Sequence, residues 1–506
     1  MPAIDMANEI ELKLSLAEQS RSLLLRMALL KSATSRQTQQ LVNLYYDTPA
    51  LSLHKRGIAL RLRKQGKIWL QTVKCAGSSS AGLTSRPEWE IPYVGHFDFD
   101  AIDDPEIRRW MNRPSLRMRI VPLFETNFRR TTWRFEPAPG SVFHLMLDRG
   151  WVAAAGRRNL ISEVELELES GDINEIFKLA QTLADRLPLV PQILSKAERG
   201  YRLYQNVPLL PVKAQPVVLA ADGSPLAAFR QIAFSCLEHQ QGNLEGVLHS
   251  ESSEFIHQMR VATRRLRAAM HLFSPHLPPV FADELVSPLH QLMDHLGRVR
   301  DLDILLCEIV MPVTHALPDE PRLAMLIGAI NDRQRVAREA AVLHLRSIAY
   351  GRLMLLITTL LHRPPFTELA PAKTTAAFAS GRLQRLRKKT LALAETANTE
   401  DPASLHRLRI GVKRLRYALE FFASLYTGKA LRKLLYQLGV LQDELGQLND
   451  LANSGVLLMQ CADDDSRLRE AVSLVGGWHA SRHRELIARI PLRLRELQRL
   501  SLPTLK

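Results

Sequence analysis

The chain has 506 residues, 46% hydrophobic and 24% charged, which excludes a disordered, collagenous or disulfide-stapled chain and exceeds what one hydrophobic core organises. Lys and Arg outnumber Asp and Glu by 67 to 52, a net charge of +15 with a pI near 9.8. That balance favours polyanionic partners: nucleic acid, anionic lipid or phosphorylated molecules.

The N-terminal segment begins with an acid and then alternates apolar with charged residues, unlike the basic and continuously apolar regions of a secretion signal. In Glu9-Ile-Glu11-Leu-Lys13-Leu-Ser15-Leu16, a two-residue period sends the charges to one face and Ile10, Leu12, Leu14 and Leu16 to the other. The same separation recurs in Ile58–Arg63, in Glu88–Ile91 and in Glu163–Glu169, so the first two-fifths of the chain is expected to be strand-rich. A single strand of this kind is usually a solvated face over a core. Several together pose a different problem, because rows of carboxylates and rows of Arg or Lys repel unless strands of opposite sign face each other. A closed barrel solves it, with an apolar outside covered by helices and a charged bore that a polyanion and a divalent cation neutralise together.

Val207–Pro225 carries four prolines and an Asp222-Gly223-Ser224 turn without any period, and is expected to be a linker. Beyond it, apolar residues three and four apart announce nearly pure helix. A second break, Arg363-Pro364-Pro365 through Pro371, divides this half. The block from His257 to Arg267 recurs from His406 to Arg416, and Leu292–Asp301 recurs as Leu441–Asp450, both at an offset of 149. The second half is therefore a duplicated helical unit, each copy keeping 44 residues from His to Asp, which suits a helical hairpin. At 100° per residue, His257, Arg260, Arg264 and Arg267 form one basic stripe, and His406, Arg409, Lys413 and Arg416 repeat it. Asp301 and Asp450 either pair with these arginines or cap a helix. The longest near-apolar run, Leu353–Leu361, is half the length needed to cross a bilayer. Cys75, Cys236, Cys307 and Cys461 are widely separated, as in a reducing compartment. A cytoplasmic protein without membrane association is expected.

The ordered series Glu9-x-Glu11-x-Lys13, Tyr45-Tyr46-Asp47-Thr48, Arg61-x-Arg63, Thr72-Val73-Lys74, Phe124-x-Thr126-x-Phe128-x-Arg130, Asp148, Glu163-x-Glu165-x-Glu167 and Ser195-Lys196 resembles the CYTH, or triphosphate tunnel metalloenzyme, superfamily. The resemblance implies an α+β domain at residues 5–206 built on an eight-stranded antiparallel β tunnel that hydrolyses or cyclises triphosphates with Mg²⁺ or Mn²⁺. Carried over by position, it implies catalytic roles for Glu9, Glu11 and Lys13. Phosphate binding would fall to Lys13, Arg61, Arg63, Lys74, Arg130 and Lys196, and metal binding to Glu9, Glu11, Asp148, Glu163 and Glu165. Which group is the base stays open. For Glu167, Glu88, Glu90 and Arg86, a structural role, as charge balance in the tunnel wall or outer surface, stands beside a role in the site.

The stripes resemble the CHAD domain, which implies an all-α, polyphosphate-binding domain after a Pro-rich linker at 207–221. It would span 222–500, with repeats at about 222–362 and 373–500 and His257, Arg260, Arg264, Arg267, His406, Arg409, Lys413 and Arg416 facing the anion. The second copy departs by Lys413 for Arg264 and Asn449 for Arg300. Nucleic acid is disfavoured, because base recognition needs aromatics or amides among the basic residues and the stripes hold neither. The pairing of the two domains resembles bacterial inorganic triphosphatases, so the expected reaction is hydrolysis of tripolyphosphate to diphosphate and phosphate. The alternatives are a non-catalytic polyphosphate-targeting protein, or a hydrolase or cyclase of thiamine triphosphate or ATP.

Overall fold

Much of the alternation becomes strand in the computed structural model, which describes residues 9–362, 373–499 and 501–505. The strands are β1 (Glu9–Ser15), β2 (Ser35–Asp47), β3 (Ile58–Gln65), β4 (Ile68–Cys75), β5 (Ser78–Ser80), β6 (Leu83–Arg86), β7 (Glu88–Pro92), β8 (Val121–Ala138), β9 (Ser141–Ala154), β10 (Arg157–Ser170) and β11 (Val190–Pro191). They form one sheet in the order β5-β6-β1-β10-β9-β8-β2-β3-β4-β7, with β11 on β1. All pairs are antiparallel.

The ends of this order meet through the chain itself. β6 pairs with β1, β7 pairs with β4, and only Pro87 separates β6 from β7. Proline has no N–H for a ladder, and its carbonyl here accepts from the Cys75 N–H at 3.2 Å as the strand changes partner. Taking β6 and β7 as one strand, and β5 and β11 as appendages, the sheet is the expected eight-stranded antiparallel tunnel.

Its outside is apolar. Leu12, Leu14, Leu145, Val164 and Leu166 pack with Ile176, Phe177, Ala180 and Leu183. The covering helices of this part are α1 (Arg21–Leu25), α2 (Pro105–Met111), α3 (Pro114–Arg117), α4 (Ile173–Ala184) and α5 (Lys196–Gln205). Helix α5 lies close against β8 because residue 200 is glycine; a Cβ there would come within 2.1 Å of the Phe124 ring.

The second half holds α6 (Pro225–His249), α7 (Ser253–Phe273), α8 (Val280–Ile304), α9 (Met311–Ala316), α10 (Pro321–Leu345), α11 (Ile348–His362), α12 (Thr375–Glu395), α13 (Pro402–Phe421), α14 (Gly428–Ala462) and α15 (Ser466–Gln498). The two copies of the repeated block fall on α7–α8 and α13–α14, each a helical hairpin. A π-helical stretch, Leu305–Val310, follows α8. The proline break at 363–371 lies outside the described residues.

The chain divides into two compact units, and the division differs from the simple halves expected. The first takes residues to Leu210 together with α11; the second begins at Pro211 and takes the other helices. Thus α11 leaves the first repeat as drawn to residue 362. The reason is its composition: nearly every side chain from Tyr350 to Leu361 is buried, and Leu355 joins the core under α4. Gly351 lets the α11 backbone approach the Leu189 carbonyl, which a Cβ would meet at 2.4 Å. The near-apolar run Leu353–Leu361 is this core helix. No single helix among the described residues is long and apolar enough to cross a membrane.

Residues 207–220 carry no helix or strand, yet residues from 211 onward are not a free tether. The Asn243 side chain accepts from the Val212 N–H at 3.0 Å and donates to its carbonyl at 2.9 Å, and the Leu219 N–H donates to Ser424 Oγ at 3.0 Å.

Candidate active site and anion groove

Antiparallel register decides which charges meet in the tunnel. Lys13 on β1 lies opposite Glu165 on β10, Glu163 opposite Asp148 on β9, and Asp148 opposite Arg130 on β8. Across the bore, Lys74 on β4 lies opposite Glu88 on β7. A cavity of about 50 Å³ is lined by Glu11, Lys13, Arg61, Arg63, Lys74, Arg86, Arg130, Glu165 and Lys196, with Asn43, Tyr45 and Phe128 among its neutral walls.

Charges this buried are tolerable only when paired and hydrogen-bonded. Arg130 donates a bidentate pair to Asp148, Nε to Oδ1 at 2.7 Å and Nη2 to Oδ2 at 2.6 Å, and also bonds Glu165. Lys196, at the first turn of α5, enters the bore and places its ammonium 2.7 Å from Asp148 and 2.9 Å from Glu165, and against Glu163. Arg199, one turn later, reaches Glu163 at 3.2 Å. The helix start is fixed by Ser195, whose Oγ accepts from the Glu198 N–H at 3.1 Å. On the other wall Lys74 pairs with Glu88 at 2.5 Å and Arg61 with Glu88 at 3.3 Å. Lys13 and Arg86 both pair with Glu11.

Of the four residues left with two readings, Arg86 and Glu88 pair in the tunnel wall, with Glu11 and with Lys74 and Arg61 respectively, Glu90 is exposed and lies 3.9 Å from Arg61 and Arg63, and Glu167 acts on Arg130. Their signal was the alternation itself, which runs on through Pro87. Arg199 was missed, although its spacing of three from Lys196 puts both on one helix face.

The bore is electrostatically lopsided. Burial favours the neutral form of Glu165, but Lys196, Arg130 and Lys13 outweigh it and hold the carboxyl well below its ordinary range. Burial lowers the Lys196 ammonium, but Asp148, Glu163 and Glu165 outweigh it and leave the group above its ordinary value. Arg63 is instead pushed down to about 10, first by burial and then by Arg61. Its contacts are Asn43 Oδ1 at 3.1 Å and a distant Glu90 at 3.9 Å. Arg63 is thus the weakly paired cation of the bore, while Asp148, Glu163 and Glu165 are matched by Lys196, Arg130 and Arg199.

Those three buried carboxylates each offer an oxygen within 4.8 Å of the others. Hard oxygen donors at that spacing fit a hard divalent cation, which would have to displace the Lys196 ammonium that contacts all three carboxylates. Glu11 stands apart from the trio, paired with Lys13 and Arg86. Glu9 opens β1, and its side chain lies outside the described residues.

In the second unit, a cavity of about 1050 Å³ is lined by His257, Arg260 and Arg264 of α7, His406, Arg409, Lys413 and Arg416 of α13, and Arg300 and Asp301 of α8. Both stripes therefore face one groove. Arg267 does not line it; its guanidinium bonds His290 instead. Helical phase gave Arg267 the azimuth of Arg260 but not its position, about 10 Å further along the axis. Lys213, Gln215 and Pro216 also line the groove, which no periodicity could signal.

Asp301 and Asp450 sit inside α8 and α14 rather than at their starts, so neither is an N-cap; Asp301 pairs with Arg260 at 3.6 Å. The two copies differ where the sequence differs. Beside His257 stands Arg300, whereas His406 Nδ1 lies 3.2 Å from Asn449 Oδ1. Burial, then Arg409 and Arg264, push the Lys413 ammonium down to about 7. The buried Nε groups of Arg264 and Arg409 have no hydrogen-bond acceptor.

The comparisons agree with this division. The CYTH domain family matches residues 7–201 and the CHAD domain family residues 231–458. An inorganic triphosphatase of Haemophilus influenzae is 31% identical over 199 residues, 39% of this chain and 55% of that protein, so the match spans about half of the relative's length. An uncharacterized protein of Mycobacterium tuberculosis is 25% identical over 412 residues, 75% of each chain. The crystal structure of the CHAD domain from the plant Ricinus communis is 35% identical, with a TM-score of 0.52 over 59% of this chain and 99% of that one. The chain thus carries a CYTH domain at residues 7–201 and, after it, a CHAD domain at residues 231–458.

Proposed function

We propose that the tunnel hydrolyses inorganic triphosphate to diphosphate and phosphate with Mg²⁺, Mn²⁺ being the alternative, and that the groove binds longer polyphosphate; the expected setting is cytoplasmic. The observation that carries the first part is the convergence of Lys13, Arg61, Arg63, Lys74, Arg130 and Lys196 on one enclosed bore beside the trio Asp148, Glu163 and Glu165. The similarity to a named inorganic triphosphatase over the same domain supports it.

In this reading the substrate's phosphate oxygens take over the carboxylates' role as partners of Arg61, Arg63, Lys74 and Arg130. Arginine forks and ammonium groups suit phosphate oxygens and are fixed before reaction, so they stabilise charge as it develops. Water attacks the terminal phosphorus, the bond to the bridging oxygen breaks, diphosphate leaves, and the water's proton passes to a carboxylate of the bore. A bound divalent cation supplies further neutralisation of the phosphate charge.

The substrate is tested by phosphate release from tripolyphosphate, ATP and thiamine triphosphate under equal Mg²⁺. Tripolyphosphate is expected to turn over fastest, because the bore offers mainly charged partners. Faster release from either organic triphosphate would overturn the substrate assignment, and release from none would leave a binding protein.

Lys413 gives the groove a pH dependence. A bound polyanion favours its ammonium form, so binding takes up a proton. Between pH 6 and pH 8 the free group loses its charge and affinity for long-chain polyphosphate falls about tenfold. Lys413→Arg flattens that dependence; calorimetry at both pH values checks it.

A further inference from the structure

A second basic surface lies outside the groove on the same unit. Along α12, Arg382, Arg385 and Lys389 are spaced three and four apart and share one face, and the helix's one acid, Glu395, is its last residue. Next to this face stand Arg414 of α13 and His271 of α7: Arg382 donates to the His271 carbonyl at 3.3 Å, and Arg414, Arg382 and Lys389 all act on the His271 ring.

On this unit some exposed arginines are laced with acids, while others, such as Arg298, Arg333 and Arg432, stand singly without an acid partner among the described residues. Arg322 pairs with Glu320 and Glu470, Arg335 with Asp332 and Glu339, and Arg493 with Glu444 and Glu496. Among the described residues, Arg382, Arg385, Lys389 and Arg414 have no such pair. An ordinary solvated face disperses like charges among opposite ones; here the repulsion stands unrelieved, as at an anion-binding surface.

Arg267, which the groove does not use, connects the two regions. Arg260, Arg264, Arg267 and His271 follow one another at spacings of four, three and four along α7, so one line of cationic and imidazole groups leaves the groove and ends at the α12 face. We infer that this face is a second anion site, an extension of the groove, where a polyphosphate chain longer than the groove continues over Arg267 to Arg382, Arg385, Lys389 and Arg414. The inference rests on polyphosphate binding in the groove. A linear phosphate polymer fits better than nucleic acid, because the aromatic ring at the patch, Phe378, is buried with the Arg382 guanidinium over it, which leaves no platform for a base.

The test uses the full chain and two probes: an oligophosphate short enough for the groove alone, and long-chain polyphosphate. In Arg382→Gln/Arg385→Gln/Lys389→Gln, affinity for the long chain is expected to fall about tenfold and the salt slope of binding by about 2, as three fewer charges are neutralised. Short-chain affinity stays unchanged, which also shows that the variant is folded. Unchanged long-chain affinity and slope would overturn the extension while leaving the groove intact. Arg260→Ala/Arg409→Ala is the control: it should weaken both probes, and if it weakens neither, polyphosphate binding in the groove itself fails. A triple variant that loses binding to a single-stranded oligonucleotide but keeps long-chain polyphosphate would also overturn the proposal.

Discussion

Lys13→Ala is expected to abolish phosphate release from tripolyphosphate, lowering kcat by about 10²–10³-fold, the usual effect of removing one preorganised charge partner from a transition state. Lys13 is buried, lies opposite Glu165 in the β1–β10 register and pairs with Glu11. Its ammonium helps hold Glu165 ionised, so the substitution removes a phosphate partner and loosens the carboxylate cluster at once. Glu9→Ala should be comparably inactive. Because the change unbalances buried charge, long-chain polyphosphate binding serves as the folding check: the groove lies in the other unit and should keep its affinity. Release at the wild-type rate would contradict the site assignment.

The converse variant, Arg260→Ala with Arg409→Ala, should weaken long-chain polyphosphate binding about 10²-fold or more, since a hydrogen bond to a charged group contributes about 1.5–3 kcal/mol. These arginines come from two helices, α7 and α13, that line one groove, and the Arg409 Nε is buried without an acceptor, as a group awaiting an anion would be. Tripolyphosphate turnover should persist. Wild-type affinity measured at physiological salt would count against the groove, because binding by charge alone is steeply salt-dependent.

Period-two alternation and the 149-residue offset are local, and each carried its architecture directly: the charged faces became the tunnel lining, and the two stripes face one groove. What stayed hidden depends on distant partners. Nothing local marks Pro87 as the point where a strand trades β1 for β4 and closes the ring. Helix α11 reads as part of a repeat until Leu355 and Gly351 are seen packed in the first unit. Residues 213–216 reach the groove because Asn243 ties down Val212, a side-chain contact without periodicity. Arg267 shows the limit of helical phase, which fixes direction around an axis but not position along it. Arg86, Glu88 and Glu90 keep the alternation across Pro87, but the side that lines the tunnel is fixed only by the closure there.

Phosphate release from tripolyphosphate by the full chain, followed while Mg²⁺ is titrated and then chelated, tests most directly whether the bore acts on a metal-neutralised triphosphate. Release should rise to saturation with Mg²⁺ and stop when the cation is removed. Turnover that continues in excess chelator, or none with either Mg²⁺ or Mn²⁺, would contradict it.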